Sequence, residues 1–235
     1  MIVTDVRGSE AGPLTGARRE PMRHLGRRSR VVDLRGLPSH PATPPGPDEA
    51  DRRHGAFLTR MIAYLCADGG VAQFVDWGSP VPGTADLVRA ARPDARVVHV
   101  SPPGVAGMVA SDAVLTGDGS CSPSSLNRLA TSGLVDLDEP VAVLMTRPFA
   151  ADAPPTGIAD LHALMRGGGY LALTTTGPHT ALRSALAPFH PVEPGAADIQ
   201  WWPYPDEDVP GPGTGTLGAL GRASGRTGGG RRWRR

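Results

Sequence analysis

The sequence predicts an α/β domain with a mostly parallel sheet and helices on both faces. Short apolar, β-branched runs alternate with segments of helical periodicity through the middle of the chain. The run at 140–146, PVAVLMT, is continuously apolar, as a parallel strand covered on both sides must be. Gly- and Pro-rich clusters fall at the boundaries of these segments and set their lengths.

From His54 onward, Phe57, Leu58, Met61, Ile62 and Leu65 fall at i, i+3, i+4 spacing until Gly69-Gly70, which predicts the first helix. Residues 71–76 (VAQFVD) form the first strand and run into the turn signal Trp77-Gly78-Ser79-Pro80. A helix over 84–91 stops before Pro93, and RVVHV at 96–100 is the second strand, closed by Ser101-Pro102-Pro103-Gly104. A short third strand at 113–116 precedes Gly117-Asp118-Gly119, and a helix over 123–131 opens on a proline. The fourth strand leads to a helix over 156–166, then to Gly167-Gly168-Gly169 and a fifth strand, YLALTT, at 170–175. A helix over 178–186 follows, and 189–192 with 199–204 are expected to close an antiparallel edge. Within that edge, Trp201-Trp202-Pro203-Tyr204 is expected to seal the sheet in preference to lining a substrate mouth.

This divides the chain into a flexible Pro- and Arg-rich extension over 1–53, a folded domain over 54–205, and a disordered Gly/Arg-rich tail over 206–235. The net charge of +1 conceals a segregation along the chain. Residues 1–53 carry 10 Arg against 7 acids, 54–217 carry 8 against 16, and 218–235 carry 6 against none. An acidic body argues against nucleic-acid binding by the folded part and leaves that role only to the basic C-terminal tail. The absence of Lys and the excess of Arg, Ala, Gly and Pro carry the coding bias of a GC-rich genome such as an actinobacterium's. No apolar run is long enough for a membrane span, and the first twenty residues lack the apolar core of a secretory signal, so a cytoplasmic location is expected. Cys66 and Cys121 lack disulfide or metal spacing and read as reduced thiols, and the seven histidines form no metal motif. His54 and His99 are the histidines expected nearest a pocket, although a packed or surface histidine is the commoner outcome. No G-x-S-x-G elbow is present, which disfavours a hydrolase.

Four stretches together are more specific than any one: AFLTRMIAYLCADGGVAQFVDWGSPVPG from Ala56, PDARVVHVSPPG from Pro93, LVDLDEPVAVLM from Leu134 and GGGYLALTTTG from Gly167. They resemble the actinobacterial S-adenosylmethionine-dependent methyltransferase-like family, over about residues 54–205. The resemblance implies a Rossmann-like class I methyltransferase fold, S-adenosyl-L-methionine as cofactor and a small-molecule substrate. Carried over position by position, it implies cofactor contacts at Asp76 and Gly78 after the first strand, Ser79 in the same loop, Ser101 after the second strand and Asp118 after the third.

Several positions depart from the family pattern. Pro80 stands where a second loop glycine is usual, which removes an N–H donor and fixes φ. Ser101 replaces the acid that accepts from the ribose hydroxyls, a loss of about 10- to 150-fold in affinity when a charged hydrogen-bond partner goes. Pro148 replaces a histidine after the fourth strand, and LPSHPATPPGP stands in place of the N-terminal D-Y-x-L-G-G-K-x-N signature. No catalytic base can be named. Two functions therefore stay open: a methyltransferase with an eroded cofactor site, and a catalytically inactive protein that uses the same fold for binding or regulation.

Overall fold

A computed structural model describes residues 49–78, 83–101, 113–116, 121–204 and 212–225. Its elements are α1 (Glu49–Ala67), β1 (Gln73–Trp77), α2 (Thr84–Ala91), β2 (Arg96–Ser101), β3 (Ala113–Thr116), α3 (Pro123–Thr131) and β4 (Val141–Phe149). They continue with α4 (Ile158–Leu164), β5 (Gly169–Thr175), α5 (His179–Leu186), β6 (His190–Pro191), β7 (Ala197–Asp198) and β8 (Leu217–Ala223). The strands form one sheet in the order β3-β2-β1-β4-β5-β8-β6, with β7 also paired to β8. From β3 through β5 every pairing is parallel, and β8 runs antiparallel to β5, β6 and β7. This is the mostly parallel α/β fold expected.

Each face of the sheet has its own core. Phe57, Leu58, Met61, Ile62 and Leu65 of α1 pack with Val88 of α2 on Phe74, Ala142, Leu144 and Leu220. Leu129 of α3, Leu161 of α4 and Leu182 of α5 pack on Val75, Val98, Val143 and Leu173 on the other side. Each fully buried large aliphatic or Phe side chain contributes about 1.5–3 kcal/mol, so α1 is held chiefly by its apolar stripe. At the amino end of the sheet the side-chain amide of Gln73 donates to the Asp136 carbonyl (3.0 Å) and accepts from the Asp136 N–H (2.8 Å). That pairing fixes the DLDEP turn against the start of β1, away from the carboxyl ends of the strands.

Three differences from the sequence expectation matter. Helix α1 starts at Glu49, five residues before His54, with Glu49 accepting from Arg52 (2.6 Å) and Arg53 (2.8 Å) across its first turn. Residues 190–191 do form an antiparallel strand, β6, but 199–203 are turns, and the antiparallel strand next to β5 is β8, which lies between β5 and β6. β8 lies inside the segment 206–235 that was expected to be disordered, so that expectation is wrong for 217–223. Its glycines misled the reading: a Cβ on Gly218 would stand 2.7 Å from the Phe57 ring. Glycine is required there by close packing, not by a flexible tail. Trp202 does seal the fold, fully buried and edge-on to Phe57 and Tyr64.

Candidate functional site

The chain leaves β1 for β2 and β3 on one side and then crosses to β4 and β5 on the other. β1 and β4 therefore flank the point where strand order reverses, where open α/β sheets bind ligands beyond their carboxyl ends. At that end of β1 stand Asp76 and Gly78. Gly78 has φ +70° and no atom among the described residues within 4 Å of where a Cβ would sit, so its backbone can be approached closely by a ligand.

Asp76 is 4% exposed and lies opposite His99 of β2 and Leu144 of β4 in the register. Its Oδ2 is 3.1 Å from Nδ1 of His99, itself 7% exposed. A carboxylate only accepts, so the proton between them sits on Nδ1. Above this pair, His54 of α1 is buried, and burial holds its imidazole below its usual pKa against the opposing pull of Asp51 and then Asp76. His54 Nε2 and Trp77 Nε1 are buried without a hydrogen-bond partner among the described residues. Trp202 Nε1, in the seal of the fold, is the third such atom, so two of the three stand at or beside the end of β1.

Beside His54 opens a cavity of about 330 Å3. Its walls are the first turns of α1 from Glu49 to His54, Pro148 near the end of β4, and Ile199, Thr214 and Thr216. Pro148 lies where the β4–β5 register shifts between Met145 and Phe149, so the strand end turns out of the ladder at a residue with no N–H to pair. Asp198 builds the far wall: it accepts from the Thr214 N–H (2.6 Å), the Thr214 hydroxyl (2.8 Å), the Gln200 N–H (2.9 Å) and the Gly215 N–H (3.2 Å). Arg60 of α1 fastens the same segment by donating to the carbonyls of Ile199 (2.6 Å) and Trp202 (2.7 Å).

The structure thus brings Asp76 and Gly78 together and ends β2 at Ser101 in the neighbouring strand. Ser79 and Asp118 lie outside the described residues, as does Pro80. Missing from the sequence reading were the Asp76–His99 contact and the roles of Asp198 and Arg60. A histidine inside the apolar run RVVHV was the one available signal for the first, and nothing local pointed to the others.

A mostly parallel sheet with the antiparallel β8 inserted between β5 and β6, and with a buried acid and an open glycine at its switch point, is a Rossmann-like α/β arrangement. The chain belongs to the S-adenosyl methyltransferase family, whose model matches residues 29–186. That match begins inside the segment expected to be an extension and stops short of β6. Among solved structures, a candidate methyltransferase from Thermobifida fusca YX is 21% identical, over 77% of this chain and 84% of that one, with a TM-score of 0.56. A DUF574 family protein from Streptomyces avermitilis is 22% identical, over 73% and 82%, with a TM-score of 0.53. These two likenesses agree with the fold. No curated protein matches the chain.

The family's cofactor is S-adenosylmethionine, and the residues described fit its methionine end. A small turn residue leaves the backbone of Gly78 open, and the adjacent buried carboxylate of Asp76 suits an ammonium group. β2 ends in Ser101, the position at which the resemblance implies a ribose-binding acid.

Proposed function

We propose that this protein binds S-adenosylmethionine across the carboxyl ends of β1 and β2 and methylates a small molecule seated in the cavity between α1 and β4. The observation that carries this is the position of that cavity: Pro148 near the end of β4, one of the two strands flanking the switch point, lines it together with His54, and Asp76 is in electrostatic reach of His54. Its volume is at the small end of ligand sites, which run from about 300 to 1,000 Å3, and suits a metabolite better than a macromolecule. When bound, the cofactor supplies a methyl group activated on a sulfonium.

The chain's own part is positional. Asp76 offers negative charge to the amino end of the cofactor, and Gly78 lets the backbone come close. The walls set by Asp198 and Arg60 hold the acceptor molecule in place and exclude water, which is the larger share of catalysis when a reaction needs mainly alignment. Calorimetric titration with S-adenosylmethionine and S-adenosylhomocysteine tests the reading. A Kd of about 100 μM or tighter is expected, and absence of heat at millimolar ligand would sink it. Asp118→Ala is expected to weaken binding through the adenine.

Ser101 and Pro80 favour one second reading, a protein that keeps the fold and a weakened cofactor site but transfers nothing. Incubation of the full chain with methyl-labelled S-adenosylmethionine and a small-molecule extract separates the two. Label appearing in an extract component supports the enzyme, and binding without any transfer supports the second reading.

A further inference from the structure

The face of the sheet under α1 is apolar along most of its length, yet at the carboxyl ends of β1 and β2 it holds an acid and an imidazole side by side. Phe74 and Val97 pair one step earlier on the same face, and both are core residues. Two residues further along the strands the pair is Asp76 and His99, each more than nine-tenths buried and joined at 3.1 Å. Leu144 flanks Asp76 on the β4 side. Packing alone would be served better by another apolar pair, because burying a carboxylate in such a place is costly unless it is hydrogen-bonded. The imidazole is one group that meets this cost for the acid.

An acid carboxylate on a strand end has two rotational freedoms, and only some orientations present its charge toward the crevice beyond the strand. His99 approaches from the neighbouring strand, across the ladder, and takes hold of Oδ2. It stands on β2, just two residues before Ser101 and the ribose side of the site. Its backbone is fixed on both sides, since β2 pairs with β1 and β3 through His99↔Asp76 and His99↔Val114. The donor is thus anchored in the middle of a parallel sheet and is not carried on a loop.

We infer that His99 is a positioning residue for cofactor binding: its Nδ1–H fixes the Asp76 carboxylate in the orientation that receives the amino end of S-adenosylmethionine. This rests on the proposed cofactor site at Asp76. His99 touches neither the cofactor nor the acceptor in this assignment, and acts through Asp76 alone.

The test uses the full chain and S-adenosylhomocysteine as probe, with affinities from calorimetry on protein shown by circular dichroism to be folded. Asp76→Asn and His99→Leu are each expected to weaken binding by about tenfold or more, as loss of a charge-assisted hydrogen bond does. His99→Asn, whose side-chain amide nitrogen occupies the place of Nδ1, is expected to recover affinity to within about threefold of the wild type. In the double variant Asp76→Asn/His99→Leu, the second change is expected to add less than about twofold, because both act through one carboxylate. A purely structural role for His99 would lower the unfolding midpoint and leave affinity of the folded protein unchanged. If His99→Leu binds as the wild type does while Asp76→Asn does not, the inference fails and the cofactor site stands. If His99→Asn is as weak as His99→Leu, the hydrogen bond is not the cause and the inference fails likewise. Should the wild type give no heat at millimolar ligand, the cofactor reading falls and this inference falls with it.

Discussion

The two faces of the sheet are built from alternate residues of the same strands, and they hold different material. Under α3, α4 and α5, side chains such as Val75, Val98, Val143 and Leu173 continue to the strand ends as an almost wholly apolar layer. Under α1 and α2, Phe74, Ala142 and Tyr170 begin in the same way, and the layer then gives way to Asp76, His99 and Thr146, with His54 above. A period of two thus lets one strand serve stability on one side and ligand chemistry on the other. The buried acid and imidazole, Asp76 and His99, both lie on the α1 face at the carboxyl end of the sheet.

The comparison can be broken most strongly on the apolar side. Leu161→Ala, from a fully buried position under the sheet, is expected to cost about 2–5 kcal/mol in chemical denaturation. The folded fraction of that variant should still bind S-adenosylhomocysteine as the wild type does. On the other side, Asp198→Ala leaves the N–H groups of Gln200, Thr214 and Gly215 without their acceptor. A loss of about 1.5–3 kcal/mol is expected, together with faster proteolysis near 212–216.

A smaller, pH-dependent effect belongs to His54. Burial lowers its pKa from the reference 6.5, so between that value and the folded one the unfolded chain binds more protons than the folded chain. Stability from this group is therefore full above about pH 6.5 and falls as the pH drops through the lower, folded pKa. His54→Leu should flatten that part of the acid limb in denaturation curves measured across pH 4–7, and an unchanged slope would show that burial at His54 is not felt. Smallest of all is Asp138→Ala, which removes a surface contact to Arg166. Its unfolding midpoint should match the wild type in high salt, where a surface ion pair is screened.

Much of the fold was legible because parallel strands advertise themselves. VAVLM in β4 and YLAL in β5 are buried on both faces, so nothing polar interrupts them. The helices under 84–91 and 123–131 were bounded by Pro and Gly punctuation that acts locally. β8 was hidden because LGALGRA has the composition of a linker, and its glycines answer to Phe57, Leu186 and Phe189, residues distant in sequence. The site was half legible for a similar reason. Asp76 and Gly78 belong to one short stretch that reads as a strand end, whereas the Asp76–His99 contact depends on register between strands 23 residues apart. Asp198 and Arg60 act on backbone groups from far along the chain, and no local pattern announces a residue that binds carbonyls or amides of a distant loop.

The place of β8 also orders the molecule in time. It is the last strand among the described residues and yet lies inside the sheet, between β5 and β6. While the chain is being synthesised, β5 must wait with an open hydrogen-bonding edge until Ala223 has emerged, and such an edge invites pairing with another chain. The cavity waits too, since Thr214 and Thr216 arrive just ahead of β8. Ribosome-bound intermediates of this protein would thus carry a formed β1–β4 switch point before they carry the closed cavity beside α1.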